Sequence, residues 1–211
     1  MKLFLSSQGI GARPEALAEF VGSGGRCAVV LNAADERTRG RRKLLDRNFG
    51  ALQAVGFECE DLDLREYFRD FQGLQTRLEG SRLVWVAGGN TFVLAMAMAA
   101  SRFDEAISPL LRTDSIVYGG YSAGACVVGP DLDGCHLMDD ASILPRRYPA
   151  GIPATALGWV PFRIIPHWRS EHEESSSAEL AFSSLRQSGV QFQALRDGEV
   201  VLVDEPYKGS P

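Results

Sequence analysis

The stretch that most constrains this chain is Val117-Tyr118-Gly119-Gly120-Tyr121-Ser122-Ala123-Gly124-Ala125-Cys126. The apolar run Ser115 to Tyr118 reads as a short buried strand, and Gly120-x-Ser122-x-Gly124 then leads into small residues that suit a helix. A serine on so tight a strand-to-helix turn takes strained backbone angles, so its neighbours must carry little side chain, and Gly120 and Gly124 meet that need. Such a turn is a nucleophile elbow. It stands the Ser122 hydroxyl at the head of a sheet and aims the Ala123 N–H where an oxyanion would form. The plainer reading is a glycine-rich turn with an incidental serine; the strand before it and the helix after it favour the catalytic one.

The rest of the chain supplies a sheet for that elbow. Lys2 to Ser6 reads as a first strand, followed by a helix that Pro14 opens and Gly22 closes, with Leu17, Phe20 and Val21 on one face. Cys27 to Leu31 is an unbroken apolar run, as in a strand buried on both faces. A helix from Arg41 to Val55 carries Leu45, Phe49 and Leu52 on one stripe, and Phe57 to Leu64 and Leu83 to Ala87 read as further strands. Two helices, Thr91 to Ala100 and Arg102 to Arg112, precede the elbow strand. Strands alternating with amphipathic helices predict a three-layer α/β sandwich, with a mostly parallel sheet and helices on both faces.

A chain of 211 residues, with no repeat or low-complexity linker, is read as a single domain over 1–211. Its formal charge of -5 argues against a nucleic-acid surface, and the arginine-rich run Arg37 to Lys43 reads as a solvated loop and helix start. The longest apolar run, Phe92 to Ala100, is far short of a membrane span, and the N-terminal run is too short for a signal peptide. Cys27, Cys59, Cys126 and Cys135 form no Cys-x-x-Cys pair, which suits a reducing compartment; the expectation is a cytoplasmic protein with a small-molecule partner.

A serine nucleophile needs a base, and the chain has three histidines. His136 lies in the irregular stretch 129–158, rich in Pro and Gly, which reads as a loop covering the site. His172 sits in the acidic run Glu171 to Glu174, read as a solvated helix start, since Ser170 and Glu173 have the spacing of a capping box. His167 ends the apolar segment Phe162 to His167 beside the sheet edge that carries Ser122, and is the preferred base. Gly88-Gly89-Asn90-Thr91 follows the fourth strand: Asn90 or Thr91 suits a helix N-cap, and the Gly89 N–H suits a second oxyanion donor. Asp197-Gly198, between the strand-like runs Val190 to Leu195 and Val200 to Val203, reads as a hairpin turn.

Four segments taken together resemble the peptidase E (aspartyl dipeptidase) family of serine peptidases, whose fold is similar to class I glutamine amidotransferases. They are Ala87 to Phe92, Gly120 to Ala125, Ile165 to Trp168 and, more weakly, Leu195 to Gly198. The resemblance implies Ser122 as nucleophile, His167 as base, Asp197 as its orienter, and Gly89 and Ala123 as oxyanion donors. Two departures stand out. Arg196-Asp197-Gly198 replaces the family's Pro-Glu-Gly, an acid one methylene shorter, and Glu171 to Leu185 lacks the arginine that holds a substrate aspartate. Selectivity for an N-terminal aspartate therefore does not carry over, and Asn90, Arg146, Arg147 and Arg169 are the candidate substrate-binding residues.

The expectation is a serine peptidase needing no metal or cofactor, acting on a short peptide as a monomer or homodimer. The order Ser, His, Asp argues against an ordinary esterase. A cyanophycinase-like hydrolase would need acids such as Asp139 and Asp140 beside the site to receive guanidinium groups, and a catalytically silent binding protein of the same fold is the alternative from another class.

Overall fold

The computed structural model describes residues 1–36 and 40–207; Arg37, Thr38 and Arg39, in the arginine-rich run, lie outside the described residues. In chain order the elements are β1 (Lys2–Ser6), α1 (Glu15–Val21), β2 (Arg26–Val30), α2 (Arg41–Ala54), β3 (Glu58–Asp61), α3 (Phe71–Leu78), β4 (Ser81–Val86), α4 (Thr91–Ser101), α5 (Phe103–Arg112), β5 (Val117–Tyr121), α6 (Ala123–Cys126), β6 (Arg163–Ile165), α7 (Ser175–Gln187), β7 (Phe192–Ala194) and β8 (Val200–Asp204).

The main sheet has six strands in the order β3-β2-β4-β5-β1-β8, all parallel except β8, which pairs antiparallel with β1 at the edge. Side chains alternate across it, as the two-residue period of a strand requires. Leu3, Leu5, Val84, Val86 and Tyr118 face one way and pack on α3, α4 and α5, while Phe4, Leu83, Trp85 and Tyr121 face the other way onto α1 and α2. This is the expected three-layer α/β sandwich. Helix α4 is buried almost all round, so its apolar composition runs nearly unbroken.

The structure alters or adds to the sequence reading at four points. The segment before His167 does not join the main sheet: β6 pairs in parallel with β7 in a separate two-stranded sheet, which packs on α7 through Ile165, Ala178, Ala181 and Leu185. Asp197-Gly198 therefore makes no hairpin, because β7 and β8 belong to different sheets and the turn carries the chain from one to the other. The Ser170/Glu173 capping box is also absent. Helix α7 begins at Ser175 with Glu174 at its N-cap, and Ser170 spends its hydroxyl on the backbone N–H of Asp197, 2.8 Å away. The short helix α3 was not foreseen: Asp70 caps it by accepting from the Gly73 N–H, and Leu74 and Leu78 alone carry its buried face.

Register decides what meets at the carboxyl end of the sheet. Gly120 lies beside both Leu5 and Val86, so the residues just past β1, β4 and β5 emerge side by side: Ser7, Gly88 and Ser122. Antiparallel β8 starts at this same edge, with Val200 opposite Ser6, which brings the preceding turn and Asp197 to it. The Ser7 N–H donates to the Glu199 carbonyl at 3.2 Å and fixes that approach.

Candidate active site

Ser122 caps the short helix α6 with φ 50° and ψ -117°, the strained conformation expected of an elbow. For a residue with a Cβ that backbone costs roughly 1–3 kcal/mol and persists only if its surroundings impose it. The glycines show how they do so. A Cβ on Gly120 would stand 2.5 Å from the Gly124 carbonyl oxygen, and one on Gly124 would stand 2.3 Å from that of Val86. Neither side of the turn has room for a methyl group. The buried Tyr118 hydroxyl donates to the Gly124 carbonyl at 2.7 Å and ties α6 back onto β5.

Gly88 and Gly89 are required for different reasons. A Cβ on Gly88 would come 2.9 Å from the Ser122 Cβ, so its bareness leaves the Ser122 side chain space. Gly89 has φ 147° and rests on the turn Asn32–Ala34, where a Cβ would strike the Ala33 carbonyl oxygen at 2.4 Å. That turn is itself pinned: the fully buried Asn32 amide donates to Asp35 and Asp63 and accepts from the Leu64 N–H. Burial pushes the Asp63 carboxyl up, but bonds from Arg65 and Asn32 more than offset it and hold it at about 2. Ala123 is the first residue of α6, so its N–H has no acceptor within the helix.

His167 is 2% exposed and has φ 59°, a second strained position. Three bonds hold this segment. The His167 N–H donates to Ser7 Oγ at 2.8 Å, the Trp168 N–H donates to the Leu195 carbonyl at 3.0 Å, and Nδ1 lies 2.7 Å from Asp197 Oδ1. With Nδ1 engaged there, Nε2 is the ring nitrogen left to act. Burial lowers the His167 pKa, the Asp197 bond and charge push it back up, and His172 pushes it down again; the net direction is below the ordinary histidine value, so the ring is neutral near pH 7.

Ser7 was missed by sequence reasoning, because its partners lie far along the chain. It is fully buried, its Oγ accepts from the His167 N–H, and it donates to Asp197 Oδ1 at 2.7 Å. One hydroxyl thus sets both the backbone of the histidine and the carboxylate that orients its ring. We expect Ser7→Ala to lower kcat about tenfold, with a smaller change in KM, since it removes positioning rather than substrate contact. Steady-state kinetics beside a melting curve would check this; an unchanged kcat in a folded variant contradicts it.

A cavity of about 170 Å³ opens over these groups. Ser122, His167, Gly88 and Gly89 line it together with Gln8, Leu44, Arg47, Tyr121, His172, Glu173 and Glu174. His172 is no solvated helix start: its ring stacks on that of His167, centroids 3.7 Å apart and planes 7° from parallel. Arg47, on α2, donates to the Tyr121 hydroxyl at 3.3 Å and brings a cation to the wall. Its place in a helix distant in sequence gave no local signal.

The other candidate substrate residues lie elsewhere. Asn90 is 4% exposed and has both ends of its amide occupied, accepting from the Val93 N–H as N-cap of α4 and donating to the Asp140 carbonyl. Arg146 and Arg147 are exposed in the stretch 129–158, and Arg169 packs over the Trp168 ring beside Glu179. None of the four is among the described residues that line the cavity. Nor does the stretch 129–158 cover it. Asp139 caps α4 through the Thr91 N–H, Tyr148 is buried and donates to Asp35, and Leu157 to Trp159 hydrogen-bond along Val127 to Gly129.

Comparison with known proteins agrees with this architecture. The model of peptidase family S51 matches residues 13–207. A probable alpha-aspartyl dipeptidase of Drosophila melanogaster is 30% identical over 158 residues, spanning 72% of this chain and 60% of the fly protein. Peptidase E of Streptomyces coelicolor is 30% identical over 192 residues, 88% of this chain and 70% of that protein. Among solved structures, a putative peptidase E from Listeria monocytogenes superposes with a TM-score of 0.74 at 20% identity, covering 97% of this chain and 98% of the other. A peptidase from an acI-B1 Actinobacterium gives 0.67 at 15% identity, covering 96% and 82%. With a family match along nearly the whole chain, and an elbow and sheet of the kind described, the chain belongs to peptidase family S51.

Proposed function

We propose that the protein is a serine peptidase that cleaves short peptides by way of an acyl-enzyme on Ser122. The observation that carries this reading is the 2.7 Å contact between His167 Nδ1 and Asp197, in a cavity that Ser122 also lines. Ser122 Oγ attacks the scissile carbonyl and its proton passes to His167 Nε2. Asp197 holds the ring and stabilises the imidazolium that forms. The N–H groups of Gly89 and Ala123 receive the oxyanion. His167 then returns the proton to the leaving amine, and water, activated by the same ring, releases the acyl group. No step calls for a metal or cofactor.

The cavity wall bears on selectivity. Glu171 to Leu185 carries no arginine, and Arg186 in the last turn of α7 does not line the cavity, so Arg47 is the lining cation among the described residues and would meet a peptide carboxylate; a requirement for N-terminal aspartate is not part of this reading. The acids first named for a guanidinium substrate do not line the cavity: Asp139 caps α4 and Asp140 bonds Ser142. Glu173 and Glu174 line it instead, which keeps a cationic substrate side chain as the second reading.

A cytoplasmic setting is part of the proposal and rests on four free cysteines; among the described residues no helix is long and apolar enough to cross a membrane. The test is a dipeptide library with varied first residues, run on wild type and Ser122→Ala. Turnover by wild type alone is the expected outcome. A wild type inert toward every member, and unlabelled by a serine-reactive phosphonate, would leave a binding protein of the same fold.

A further inference from the structure

Two histidines and a carboxylate meet at the mouth of the cavity. One donor atom from each of His167, His172 and Glu174 can be chosen so that all three lie within 4.8 Å of one another. The geometry points to a site for a divalent transition-metal ion, best matched by Zn2+, that switches the peptidase off by occupying its base. Two imidazoles with one carboxylate form a donor set that zinc takes readily.

His167 is prepared for this role by the bond that prepares it for catalysis. Its Nδ1 engages Asp197 Oδ1 at 2.7 Å, leaving Nε2 on the side of Glu174, and a carboxylate behind a ligating histidine in this way fixes the ring and strengthens the ligand. Around a tetrahedral zinc with bonds near 2.0–2.2 Å, neighbouring donors stand about 3.4 Å apart. His167 Nε2 and Glu174 Oε2 are already 3.8 Å apart, a few tenths of an ångström from that spacing. His172 has further to move, because its ring lies flat against that of His167 and the in-plane lone pairs of parallel rings run side by side rather than converge. It is also the freer of the two. His167 is held through both Ser7 and Asp197, whereas the half-buried His172 ring accepts one long bond, from the Glu174 N–H at 3.2 Å. Closing the site means tilting His172 out of the stack.

The consequence for turnover is direct. The Nε2 lone pair that would bind the metal is the one that must take the Ser122 proton, and it cannot do both. The inhibition therefore rests on the role proposed for His167, while binding of the ion does not.

Metal-stripped protein should be titrated with ZnCl2 by calorimetry and with CoCl2 by visible absorption, using wild type, Ser122→Ala, His172→Ala and Glu174→Gln. One ion per chain is expected, with tetrahedral cobalt bands. Affinity should be kept in Ser122→Ala and weakened about tenfold or more in each of the other two, whose melting curves confirm folding. Zinc should also stop dipeptide turnover by wild type, and a chelator should restore it. No stoichiometric binding, or equal affinity in both ligand variants, overturns the site. Binding with turnover unaffected overturns the switch. A protein that hydrolyses no peptide yet binds zinc through His172 would remove the peptidase reading and leave the metal site standing.

Discussion

Replacing Ser122 by alanine is expected to lower kcat by about 10^6-fold and to abolish labelling by a serine-reactive phosphonate, with substrate binding largely kept. The size of the effect follows from how the site is built. Every steric feature of the turn exists to present one oxygen: Gly120 and Gly124 leave no room for other side chains, and Gly88 stands aside from the Ser122 Cβ. On the proposed mechanism, removing that oxygen takes away the covalent route and leaves whatever the backbone donors and binding contribute, roughly 10^3–10^4 over water. The variant should fold as well as wild type, since an alanine at φ 50° carries the same Cβ strain as the serine and loses no structural partner. Measuring kcat, KM and phosphonate labelling side by side checks this. A Ser122→Ala protein that keeps a tenth of wild-type activity would mean that the nucleophile lies elsewhere.

The second large effect is expected at the histidine and its carboxylate. His167→Ala should cost about as much as Ser122→Ala, because in the proposed mechanism the two act as one unit and their losses do not add. Asp197→Asn should cost on the order of 10^4 in kcat, since an amide that donates to Nδ1 holds the ring in the wrong tautomer and leaves the imidazolium uncompensated. The double variant Ser122→Ala/His167→Ala should be no slower than Ser122→Ala alone. Kinetics on all three, with melting curves to show that each is folded, decide the matter. Asp197 is partly exposed and Ser7 also bonds it, so stability should fall far less than activity. If Asp197→Asn were nearly as active as wild type, the 2.7 Å contact would be structural, and Glu174, 3.8 Å from Nε2, would become the acid to examine.

What could be read from the sequence depended on how far each requirement reached along the chain. The elbow was legible because its constraint is local: a serine forced to φ 50° needs bare neighbours two positions away on either side, and both are glycines. The buried strands β1, β2, β4 and β5 were legible for a similar reason, as apolar runs too short for helices and separated by amphipathic segments. Asp197 was ambiguous because Asp-Gly suits many turns, and only the pairing of β8 with β1 rather than β7 decides which kind this is. Ser7 carried no signal, since nothing near it in sequence marks a serine that will meet His167 and Asp197. His172 misled through its neighbours: a run of acids resembles a solvated surface, and stacking on another imidazole has no one-dimensional pattern. The missing helix α3 shows the same limit, being short and interrupted by Gly73.

The antiparallel edge strand has a consequence for biosynthesis. A ribosome emits Ser122 and its elbow well before it emits the turn that carries Asp197 and the strand that docks this turn beside β1. Until then the nascent chain holds a bare hydroxyl and an imidazole with nothing to steer it. On the proposed mechanism, the catalytic group is complete only once that edge strand has been made and docked.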